Sequence, residues 1–218
     1  MLTPERGQVT FDSEGNEGGK YHSRVLHVPT DVSGLTLGRG YDMRSKSQAT
    51  ISTQLITAGV DVENARTISS AAGLSGAAAK KFIVDNKLEK FEITEGTQKS
   101  LFELTYAGET AEARRICEKA DVTSKYGTCD WDKLHPAIQD IVVDLKYRGD
   151  YTSSARAKIQ KYISDNDLEA FAKVISDQTE WNNVPKDRFE RRKTFIQAAL
   201  AEKKRLDNQK PKPRPGPR

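Results

Sequence analysis

Glu14, Thr36 and Asp42 are the residues of this chain whose types and spacing could do chemistry together. They sit in a glycine-rich stretch, within Phe11-Asp12-Ser13-Glu14-Gly15-Asn16 and Gly34-Leu35-Thr36-Leu37-Gly38-Arg39-Gly40-Tyr41-Asp42. Inverting cleavage of a glycosidic bond needs one carboxylic acid to protonate the leaving oxygen. It needs a second carboxylate to polarise a water on the opposite face of the sugar. A hydroxyl beside the second carboxylate can hold that water. Glu14, Asp42 and Thr36 can fill these three places if the second segment folds back over the first. Glu17 is a rival acid three residues further on, in an Asn-Glu-Gly-Gly run. On pattern alone the same residues also suit solvated turns, where Asp and Gly gather.

The elements that must position these groups follow from the surrounding pattern. Residues 7–42 hold seven of the 15 glycines and two short β-prone runs, Ser23–Val28 and Gly34–Gly38. A Pro-Thr-Asp-Val-Ser stretch between the runs has turn chemistry, which predicts a small twisted hairpin. From Ser45 onward, apolar residues recur at intervals of three and four, the helical period. Helices are expected over Ser45–Gly59, Val62–Gly73, Gly76–Asn86, Thr94–Ala107, Glu109–Ala120, Ser154–Asp165, Asp167–Gln178 and Pro185–Leu206. In His135–Tyr147 the pattern puts Ile138, Ile141, Val142 and Leu145 on one face, with Pro136 in the first turn. The expected fold class is α+β and mostly helical, with a β lobe over about 15–44 ahead of a helical lobe over about 45–201.

Composition narrows the function. A length of 218 residues, 36% hydrophobic and 30% charged, allows one large domain or two joined lobes. No apolar run reaches the roughly 18 residues of a membrane span. The N-terminus lacks a basic segment followed by an apolar one, so no cleavable secretory signal is expected. Residues 202–218 carry seven Lys/Arg and two acids, and without them the net charge falls from +4 to −1. A near-neutral body argues against a nucleic-acid partner. The basic, proline-rich end is expected to form a disordered tail over 202–218. Cys117 and Cys129 are too few for a disulfide framework. They suit either a single bond in an oxidising compartment or two free thiols. No His, Cys and acid spacing makes a metal site, and Gly38-Arg39-Gly40 lacks the helix and spacing of a phosphate-binding loop.

The ordered set F-D-x-E-G-N, Y-H-S and G-L-T-L-G-R-G-Y-D-M resembles the pesticin-type muramidases, toxins related to the phage-type lysozymes. That family's pattern is a Glu, a Thr some twenty residues later and an Asp six residues after the Thr. Here the separations are 22 and six. Asp132–Tyr151 also looks like a helix of that family, and the resemblance spans roughly residues 9–200. Common phage lysozymes place the Asp before the Thr, which favours the pesticin branch.

The resemblance implies a lysozyme-like fold and a peptidoglycan N-acetylmuramidase that needs no cofactor. Glu14 would be the general acid, with its pKa raised by a low-polarity pocket. Asp42 would activate the water or stabilise the oxocarbenium-like transition state, and Thr36 would hold the water. Tyr21, His22, Arg39 and Tyr41 would line the sugar cleft, and Arg188, in a stretch resembling the late helix of phage-type lysozymes, would approach Glu14. The implied partners are bacterial peptidoglycan and an immunity protein, with the chain itself a monomer. It would be made in the cytoplasm and act in the periplasm or cell wall of a target after delivery by a holin, a secretion system or uptake. A lytic transglycosylase needs the acid but not the water-activating Asp. A non-catalytic peptidoglycan-binding module has no chemical need of the set.

Overall fold

A computed structural model describes residues 3–19 and 22–209. The chain divides into two compact units, Met1–Ala111 and Glu112–Arg218. The expected helical lobe is therefore shared between two bodies.

The first unit opens with α1 (Gln8–Ser13) and continues through β1 (Thr36–Leu37), β2 (Tyr41–Asp42), α2 (Gln48–Ala58), α3 (Val62–Ser69) and α4 (Gly76–Asp85). It runs into α5 (Glu95–Cys117), whose range crosses the unit boundary. Two of the early helices have a side-chain cap at their start. The Ser47 side chain accepts the Thr50 N–H ahead of α2, and the Asp61 side chain accepts the Asn64 N–H ahead of α3. Leu35, Leu37, Tyr41 and Met43 of the hairpin region are buried with Ile51, Leu55, Ile68 and Leu101 in one core. Burial on that scale is what holds so short a ladder, since an isolated hairpin is marginal in water.

The second unit holds α6 (Ala120–Tyr126), α7 (Pro136–Arg148), α8 (Ser153–Ser164), α9 (Leu168–Ile175) and α10 (Lys186–Gln209). The predicted face of α7 is buried as expected, at Ile138, Ile141, Val142 and Leu145. Pro136 occupies its first turn, where a missing N–H costs nothing. Trp131 and Trp181 are buried, and the Trp181 indole donates to the Val174 carbonyl. Among the described residues the protein is mostly helical, with one two-stranded antiparallel sheet. No helix among them is long and apolar enough to cross a membrane.

Three expectations change. The regular hairpin is 36–37 against 41–42, not 23–28 against 34–38. The earlier run makes only single bridges, His27 to Thr36 and Val25 to Glu92. The chain can double back so soon because Gly38 and Gly40 adopt φ of 60° and 81°, a left-handed backbone that most side chains disfavour. The two helices expected over 94–120 are one 23-residue helix, since Gly108 sits within α5 without ending it. At the other end α10 continues to Gln209, so the tail boundary at 202 falls inside a helix. Residues 210–218 lie outside the described ones.

Candidate active site

The hairpin register sets the centre of the site. Thr36 pairs directly with Asp42 across β1 and β2, and Leu37 pairs with Tyr41. The Met43 N–H bonds to the Leu35 carbonyl at 3.0 Å, which makes Thr36 and Asp42 a non-hydrogen-bonded pair. In that kind of pair the side chains project on one face and approach most closely. The six-residue spacing read from the sequence is therefore the spacing of two facing residues.

A single residue orients both side chains. The Gly34 N–H donates to Asp42 Oδ2 at 3.1 Å, and the Thr36 hydroxyl donates to the Gly34 carbonyl at 3.2 Å. The Arg44 N–H donates to Asp42 Oδ1 at 2.7 Å, so both carboxylate oxygens are fixed by backbone. Gly34 has no room for a side chain. A Cβ there would lie 2.4 Å from Asp42 Oδ1 and 2.7 Å from the Arg44 nitrogen. Thr36 is 3% exposed and Asp42 half-buried.

Glu14 caps the C-terminal end of α1, with its N–H on the Thr10 carbonyl at 3.0 Å, and is half-buried. Arg39 connects that segment to the hairpin. It sits at the turn, three residues from both Thr36 and Asp42. Its Nη1 donates to the Phe11 carbonyl at 2.6 Å and to the Gly15 carbonyl at 3.0 Å, one on each side of Glu14. Nε donates to Gln98 Oε1, Nη2 to Glu17 Oε1, and the guanidinium lies 3.9 Å from the Phe11 ring centroid. The Phe11 ring packs edge-on against Phe102 of α5 at 5.0 Å. Gly15 fits closely against this clasp, since a Cβ there would meet Ser23 Oγ at 2.3 Å.

These contacts reassign several expected residues. Arg39 is 7% exposed and its donors point into protein, so it holds the loop that carries Glu14 and does not line a sugar cleft. Tyr41 is 1% exposed, and its hydroxyl donates to Gln54. Burial pushes the phenol pKa well up, which makes Tyr41 a core residue. His22 is held at both ring nitrogens: Nδ1 accepts the Gly18 N–H at 2.7 Å and Nε2 faces Glu92 at 3.0 Å. It fastens the loop after Glu14. Tyr21 lies outside the described residues. Arg188 belongs to the second unit, where its guanidinium pairs with Asp144 at 2.7 Å.

Glu17 is separated from Glu14 by its partners. Burial alone would raise its carboxyl pKa, but the nearby Gln98 amide, the hydrogen bond and charge of Arg39 and a hydrogen bond from Arg24 hold it below the usual value. A carboxylate kept ionised in this way is a poor proton donor. Gly34 and Ser23 stand within the quoted motifs without having been given a role there, and Gln98 lies outside them. Among the described residues no group of three or more His, Cys, Asp or Glu is placed to hold a metal ion.

Residues 7–193 match the model of a domain family of unknown function, DUF8812, and the chain belongs to that family. No curated protein matches it.

Proposed function

We propose that this member of the DUF8812 family is a peptidoglycan N-acetylmuramidase of lysozyme-like fold, cutting the β-1,4 bond between N-acetylmuramic acid and N-acetylglucosamine. The observation that carries the reading is the direct pairing of Thr36 with Asp42 on a hairpin whose turn residue, Arg39, grips the backbone on both sides of Glu14. The Thr36 hydroxyl proton is already given to Gly34, so its oxygen meets a water as an acceptor. Asp42 is an acceptor as well. A water that donates one hydrogen to each keeps a lone pair for the anomeric carbon, while Glu14 protonates the departing oxygen. Both Asp42 oxygens carry a backbone N–H, which suits an orienting base better than a covalent nucleophile. The product is therefore expected with inverted configuration. The substrate places the site of action in a bacterial cell wall, and a producer of such an enzyme needs an immunity protein.

The test is mass spectrometry of purified peptidoglycan digested with the wild type, Glu14→Gln and Asp42→Asn. Muropeptides with reducing N-acetylmuramic ends are expected from the wild type. Each variant should lose about 10²–10⁴-fold in rate, the usual worth of a general acid or base. Anhydro-muramic ends would move the protein to the transglycosylases. An absence of soluble product from folded wild type would overturn the enzymatic reading.

A further inference from the structure

The face of the hairpin that carries Thr36 and Asp42 extends one strand further. His27 is bridged to Thr36 on the side away from Asp42. The two residues exchange both backbone hydrogen bonds: the His27 N–H donates to the Thr36 carbonyl at 3.0 Å, and the Thr36 N–H to the His27 carbonyl at 2.8 Å. Residues directly opposite in an antiparallel pair project their side chains on the same face. The pleat agrees in all three segments. Leu26, Leu35, Leu37, Tyr41 and Met43 lie in the core and Val28 packs against it. The residues between them, His27, Thr36 and Asp42, therefore point the other way and form one row across the sheet.

His27 is half-buried, and its Nδ1 lies 2.9 Å from the Val25 carbonyl. A carbonyl oxygen only accepts, so Nδ1 carries the hydrogen and the neutral ring keeps a lone pair at Nε2. Among the described residues nothing bonds to that nitrogen. We propose that His27 is a further substrate-binding residue of the candidate site, its Nε2 accepting a hydrogen bond from the acetamido N–H of the sugar under attack. The inference rests on the muramidase reading.

In that reading the attacking water gives its two hydrogens to Thr36 and Asp42. It has none left for Nε2, so the donor comes from the sugar. The anomeric carbon lies over that water, and a hydrogen-bonded pair sets the His27 Cα about 5.5 Å from that of Thr36. An imidazole at that distance meets the ring position beside the anomeric carbon. Of the two such positions, the ring oxygen has no hydrogen to give. The other, C2, bears the acetamido group, whose N–H is the nearest donor. A hydrogen bond to the C2 substituent strengthens in an oxocarbenium-like transition state, so the contact acts on turnover as well as on binding.

Two variants of the full chain separate this role from a structural one. The amide of His27→Asn can replace the Nδ1 bond to Val25 but leaves nothing at the Nε2 position. The oxygen of His27→Gln reaches that position as an acceptor. On purified peptidoglycan, His27→Asn should lose about 10- to 100-fold in kcat/KM, the effect of leaving a desolvated donor unmet, and His27→Gln should recover much of it. Full activity in His27→Asn, or more activity there than in His27→Gln, would reduce His27 to holding Val25 and overturn the proposal. A tetrasaccharide whose attacked ring carries a 2-O-acetyl ester in place of the acetamide lacks the N–H. The gap between wild type and His27→Asn should vanish on it, and a gap that persists would overturn the assigned donor. No soluble product from folded wild type would overturn the muramidase reading and this inference together. An active wild type beside an equally active His27→Asn would overturn this inference alone.

Discussion

At the scale of single residues, the candidate site depends on a position with no side chain. Gly34 donates its N–H to Asp42 and accepts from Thr36 with its carbonyl, and the line of approach of a Cβ runs into the Asp42 carboxylate. Gly34→Ala should therefore swing Asp42 off its backbone anchors while leaving Glu14 and the helices in place. If the proposed muramidase activity holds, the expected outcome is a drop in turnover of about 10²-fold, the effect of misplacing a reacting group by about 1 Å. KM should move far less, and the far-ultraviolet circular dichroism should stay unchanged. Equal activity in Gly34→Ala and wild type would remove Asp42 from the chemistry. The three proposed reacting residues were singled out because an acid, a hydroxyl and a second acid can serve glycoside hydrolysis, and because their separations match the pattern of the muramidases the chain resembles. Gly34 was not, because close approach of a backbone leaves no mark beyond the glycine itself. The choice of Glu14 over Glu17 was read from the neighbouring motif, and it has a physical basis in the two arginines that occupy Glu17.

At the scale of elements, the question is how a six-residue helix and a two-residue ladder hold a fixed relation. The answer is the guanidinium of Arg39, planar and many-pronged, reaching two carbonyls, Gln98 and Glu17 at once. A lysine offers charge without the fork and cannot reproduce that set. Arg39→Lys is expected to lose about 10-fold or more in turnover and to lower stability by about 2 kcal/mol, the cost of leaving buried acceptors unmet. Arg39→Ala should cost more on both counts. Thermal melts beside digestion rates check this, and a lysine variant with full activity would reduce Arg39 to packing. The helices were largely legible, since α2, α3, α4 and α7 follow apolar periodicity, with Pro136 in the first turn of α7. The short elements were not. The six residues of α1 are too few to show a period, and its entry is Gly7 in the left-handed region, with no side-chain cap. The hairpin was displaced because β-prone composition at 23–28 says nothing about partners, and that run is spent on two separate bridges.

At the scale of the whole molecule, a modest net charge conceals a buried electrostatic cluster in the second unit. Asp144 of α7 is 0% exposed and pairs with Arg188 at 2.7 Å and Arg192 at 2.5 Å, both on α10. Arg192 reaches Asp150 as well, at 2.9 Å, and Arg148 pairs with Asp150 at 2.5 Å. The resemblance sent Arg188 towards Glu14, because a sequence cannot show which partner an inward-turning arginine meets. Removing one carboxylate would leave two guanidiniums desolvated, so Asp144→Asn should cost about 3–5 kcal/mol. That corresponds to about 10 °C in Tm for a chain of this size. The exposed Asp187–Arg191 pair on α10 is the control, and Asp187→Asn should cost no more than about 0.5 kcal/mol. The pH dependence has a definite sign. Burial alone would raise the Asp144 carboxyl pKa, but the charges of Arg192 and Arg188 and their hydrogen bonds hold it below the usual value. A carboxyl lowered in the folded state gives stability that is complete above the unfolded pKa of about 4, and loses it as pH falls through the folded value. The gap in Tm between wild type and Asp144→Asn should therefore be constant from neutral pH down to about 5 and close only below about 4. A gap that closed near pH 6 would mean that another group, and not Asp144, balances the two arginines.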